Sequence, residues 1–92
     1  MILKMNGQFR IDNLRRYPSE TVDALRSALM AGATATADPQ RKNFYDLQTG
    51  DSVFYIHLSP TGTVLLLACW PKELAHQAIR REAPLPEARA YC

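Results

Sequence analysis

His57 is the one imidazole inside a stretch, Ser52 to Pro71, that holds no Lys, Arg, Asp or Glu. A neutral imidazole there could act as a general base or bind a metal. Either role needs a second group, an orienting carboxylate, a nucleophile or further ligands. His76 and Cys69 fall on other elements and show no zinc-ligand spacing. His57 is therefore read as a structural or hydrogen-bonding residue, and no metal or cofactor is expected.

Cys69 is the candidate nucleophile. A reactive thiolate needs a lowered pKa, from a basic neighbour or a helix N-terminus. The Pro71 that follows could open a helix, but the apolar run around Cys69 reads better as core. Two cysteines, one of them the terminal Cys92, do not make a disulfide framework. Two free thiols in a cytoplasmic protein are expected. Neither Thr61-Gly62-Thr63 nor Gln48-Thr49-Gly50-Asp51 matches a phosphate-binding loop.

Two surfaces could bind instead of react. Arg10, Arg15, Arg16, Arg41 and Lys42, interleaved with Phe9, Tyr17, Phe44 and Tyr45, resemble the basic and stacking groups that hold single-stranded nucleic acid. The net charge of +2 is weak support, and Asp12, Asp38 and Asp46 dilute it. The second surface is apolar. Val64, Leu66, Trp70 and Tyr55 could form a patch for a second copy or a protein partner, since Trp and Tyr recur at binding hot spots. A small non-enzymatic interaction module, with a homodimer as one form, is the first functional expectation. A nucleic-acid binder and a small enzyme using His57 or Cys69 are the alternatives.

The elements that must position these residues follow from pattern. Ninety-two residues, 47% apolar and 22% charged, make one domain. The longest apolar run, Val64 to Trp70, is far short of the ~20 residues a membrane-spanning helix needs. Val22, Leu25, Ala28 and Leu29 lie at helical spacing between Ser19, a good N-cap type, and Gly32, a helix stop. A helix over Ser19 to Ala31 follows.

Val53 to Leu58 and Thr63 to Trp70, joined by Ser59-Pro60-Thr61-Gly62, read as a β-hairpin, with Phe44 to Gln48 as the preceding strand. Ala33 to Ala37 is a candidate short edge strand. Ile2 to Ile11 reads as a first hairpin about Asn6-Gly7, with Met5 facing Phe9 and Leu3 facing Ile11. Leu74, Ala75, Ala78 and Ile79 give residues 72–82 a narrow apolar stripe, hence a candidate second helix, before a mobile tail over 84–92. The expected fold is a two-layer α+β domain over residues 1–83. Its antiparallel sheet has four to five strands, with the main helix packed on one face and the C-terminal helix a further candidate.

Overall fold

The computed structural model describes residues 1–71. The candidate second helix and the tail lie outside the described residues. Within them the fold is α+β, one helix on a mostly antiparallel sheet. The elements are β1 (Ile2–Leu3), β2 (Arg10–Asp12), α1 (Ser19–Ala31), β3 (Ala33–Ala37), β4 (Phe44–Gln48), β5 (Ser52–Leu58) and β6 (Thr63–Pro71). The six strands exceed the expected four to five. Ala33–Ala37 does form a strand, but an inner one.

The strand order is β1-β3-β4-β5-β6-β2. Strands β3 to β6 follow one another as antiparallel neighbours, as their short connections require. The first two strands do not form the expected hairpin. Strand β1 pairs antiparallel with β3, and β2 pairs parallel with β6, so the two sit at opposite edges. In a flat sheet those edges would stand about 24 Å apart, five spacings of ~4.8 Å. Residues 4–9, at ~3.5 Å each, would span that distance only when taut. They are not taut, because the Met5 N–H stops to bond the Leu29 carbonyl at 2.9 Å. The sheet therefore curls round α1, and the connector crosses the last turns of the helix.

Helix α1 has the expected bounds, for local reasons. Its apolar stripe buries Leu25 and Leu29 completely, with Val22 and Ala28 packed at the margin. Full burial stabilises by roughly 1.5–3 kcal/mol for each leucine before entropy is subtracted. The N-terminal cap differs from expectation. Pro18 holds the cap position without a side-chain hydrogen bond, and Ser19 is already helical. The entry loop is fixed instead by Asn13, whose side chain donates to the Tyr17 carbonyl at 2.8 Å and accepts the Tyr17 N–H at 2.9 Å. Gly32 ends the helix at φ 92°, where a Cβ would meet Ile2 Cγ2 at 3.4 Å.

The sheet has two apolar faces, and a bulge decides which residues share them. Along β6, Val64 opposes Leu58 and Leu66 opposes Ile56, but Ala68 opposes Tyr55. Leu67 is the extra residue, and it shifts the alternation by one. Val64, Leu66 and Cys69 pack with α1, Phe54 and Ile56. Ala68 and Trp70 pack on the other face with Tyr55, against Phe44 and Leu67.

Candidate functional site

The bulge divides the apolar patch anticipated from sequence. Val64 and Leu66 lie under α1, while Tyr55 and Trp70 lie on the opposite face. All four are buried within one chain, Trp70 completely and Tyr55 to 3% exposure.

Tyr55 anchors a polar and aromatic cluster. Its hydroxyl donates to Asp38 Oδ2 at 2.6 Å, and Asp38 Oδ1 accepts the Gln40 N–H at 2.9 Å. Burial, then the Asp38 carboxylate, pushes the Tyr55 pKa from 10.0 up to about 12, against the smaller pull of Arg41. Tyr55 is thus held as a hydrogen-bond donor and does not serve as a base. The Phe44 ring lies 5.7 Å from Tyr55 and 4.7 Å from His57, with the Arg41 guanidinium 5.7 Å from its centre. His57 therefore meets an aromatic ring, and the sequence supplied no catalytic partner for it. Among the described residues no three His, Cys, Asp or Glu side chains are grouped to hold a metal.

Cys69 corrects the expectation of free thiols. It is disulfide-bonded, and the chain's other cysteine, Cys92, lies outside the described residues. A sulfur in a disulfide is not a thiolate nucleophile. No described helix is long and apolar enough to cross a membrane.

The concave site lies elsewhere, where three segments meet. The connector supplies Gly7 to Phe9, and β2 begins beside it with Arg10. Helix α1 contributes Arg26 and Met30, four residues apart and so on one stripe. The β5–β6 turn contributes Thr61 to Thr63. Together they enclose a groove of about 520 Å³.

Its walls are held locally. The Arg10 N–H reaches the Gly62 carbonyl at 3.3 Å, joining β2 to the turn. Ser59 shapes the turn by taking the Thr61 N–H on its hydroxyl at 3.0 Å and the Gly62 N–H on its carbonyl at 3.1 Å. The Arg26 guanidinium lies 5.5 Å from the centre of the Phe9 ring, a distance at which cation and ring attract. That contact restrains a side chain that otherwise loses much freedom on binding.

Among the described residues, the groove's lining carries two arginines and no carboxylate. Neither arginine is in an ion pair with a described residue. Guanidinium groups present planar, permanently charged donors that match phosphate and carboxylate oxygens. The Thr61 and Thr63 hydroxyls add neutral hydrogen-bonding groups, and Phe9 and Met30 add apolar walls.

Of the basic residues singled out from sequence, the groove takes Arg10 alone. Arg15 and Arg16 lie in the loop after β2, with Arg16 at φ 55°. Arg41 and Lys42 lie in the β3–β4 loop, exposed to solvent. Arg26 was missed. Its signal in the sequence was slight: it sits four residues after Val22 and next to Leu25, at the margin of the apolar stripe. The chain matches no protein-family model, no curated protein and no solved structure.

Proposed function

We propose that the protein is a small non-enzymatic binding module whose ligand carries an anionic group into the Arg10–Arg26 groove. One observation carries this reading. Arginines from two separate elements line a single concavity, and among the described residues its lining holds no carboxylate. Its volume lies within the range of small-molecule sites, and its mixture of apolar walls with a few polar groups suits ligand binding.

The expectation of a homodimer through the hairpin faces draws less support. Val64, Leu66, Tyr55 and Trp70 are already buried inside one chain, so their area is not free for a partner. The argument for a cytoplasmic location from free thiols also lapses with Cys69 in a disulfide.

Calorimetric titration with inorganic pyrophosphate tests the proposal. Saturable binding is expected, weakened by Arg10→Gln and by Arg26→Gln. A charge-assisted hydrogen bond contributes about 1.5–3 kcal/mol, so each change should lower affinity roughly 10- to 150-fold. Absence of binding, or binding indifferent to both changes, would overturn it.

A further inference from the structure

We infer that the groove is built for a terminal phosphate, a phosphate monoester held as its dianion, on a small carrier with an apolar or aromatic face. This rests on the anionic-ligand reading of the groove and names the chemical class of the ligand.

The wall is rich in donors. Arg10 and Arg26 can only donate through their guanidinium groups. The connector adds main-chain donors, since the N–H groups of Gly7, Gln8 and Phe9 make no hydrogen bond to a described residue. Gly7 takes φ 74°, and a Cβ built there or on Gly62 would meet no atom within 4 Å. Both glycines therefore leave the main chain open to close approach by a ligand. The Thr61 and Thr63 hydroxyls can turn to donate as well.

Such a wall discriminates among anions. A phosphate monoester offers one more terminal oxygen than a carboxylate and up to twice its charge. Its dianion only accepts hydrogen bonds. The monoanion keeps a P–OH whose proton needs an acceptor, and among the described residues the lining has no carboxylate to take it. A phosphate diester carries a single charge and gains less from two arginines. The carrier follows from the remaining surface. The volume of about 520 Å³ is that of a small-molecule site. Phe9 is half-buried with Arg26 against its ring, and Met30 is 57% exposed, so apolar surface stands beside the arginines to be covered. Inorganic phosphate would leave that surface in water.

The pH dependence of binding separates these ligands. Among the described residues, the only ionisable side chains of the lining are arginines, which keep their charge from pH 5 to pH 7. The neighbouring charges on the same elements, Lys4 on the connector, Asp12 on β2 and Asp23 on α1, lie outside the lining. His57 lies against Phe44 on the opposite face of the sheet, and His76 lies outside the described residues.

Calorimetric titration with phenyl phosphate, diphenyl phosphate and benzoate at pH 5 and pH 7 tests the inference. Phenyl phosphate should bind about tenfold more tightly at pH 7, because its second proton leaves near pH 6. Benzoate and the diester should bind more weakly at pH 7, and with nearly equal affinity at both pH values. The diester, which has no second proton, controls for titration of the protein itself. Met30→Ala should weaken phenyl phosphate roughly fourfold for each methylene covered, and by more than it weakens pyrophosphate. Trp70 emission would verify the fold of the variant and at each pH. Benzoate bound as tightly as phenyl phosphate would overturn the inference, as would a pH effect that is absent or shared by the diester. Equal losses for phenyl phosphate and pyrophosphate in Met30→Ala would overturn the apolar carrier. In each case retained pyrophosphate binding leaves the groove reading in place, and its loss removes both.

Discussion

The Tyr55 hydroxyl and the Asp38 carboxylate meet at 2.6 Å, tying the fourth residue of β5 to the loop that follows β3. Removing the hydroxyl leaves a buried carboxylate oxygen short of that donor. Tyr55→Phe should therefore cost about 1–3 kcal/mol, read as a lower urea midpoint.

The same pair sets an alkaline limit. Because the Tyr55 pKa is raised from 10.0 to about 12, folding favours the protonated phenol. The resulting stabilisation is complete below pH 10 and is lost as pH rises through about 12. Urea midpoints of the native protein and of Tyr55→Phe should converge over that interval. Parallel pH profiles would show that Tyr55 does not carry the effect.

Adjacent residues of α1 should respond in opposite ways. Leu29 is completely buried and Met30 is 57% exposed. Leu29→Ala should destabilise by about 2–5 kcal/mol, whereas Met30→Ala should stay within about 0.5 kcal/mol. Chemical denaturation measures both, and Met30→Ala then remains usable for ligand titrations.

Deletion of Leu67 tests the bulge. Without the extra residue, strict alternation from Leu66 keeps Ala68 and Trp70 on the outer face and Cys69 on the helix face, with every partner on β5 unchanged. The expected result is a variant that retains a cooperative transition and native Trp70 emission. Loss of that transition with a red-shifted Trp70 emission would contradict the register.

The parts of this fold set by neighbouring residues were readable from sequence, and the parts set by distant partners were not. The α1 bounds and the β4–β5–β6 meander depend on local spacing and short turns. The partners of β1 and β2 do not. Asn6-Gly7 signals a change of direction, and Gly7 does take φ 74°, but in a connector that crosses α1 rather than in a hairpin. With two and three residues, those strands carry too little pattern to choose a neighbour. A bulge such as that at Leu67 leaves no mark in a run that is apolar on both faces. That is why Val64, Leu66 and Trp70 read as one patch. Arg26 came to the site for a similar reason. Nothing in a helix sequence says which foreign loop will approach its margin.

The central claim is that Arg10 and Arg26 take an anion in the groove, and amide chemical shifts during pyrophosphate titration locate that event directly. Saturable shifts confined to Gly7 to Arg10, Arg26, Met30 and Thr61 to Thr63, and moved to higher pyrophosphate concentration by Arg26→Gln, are the expected result. Shifts centred on the β2–α1 loop, or spread evenly over the surface, would contradict it.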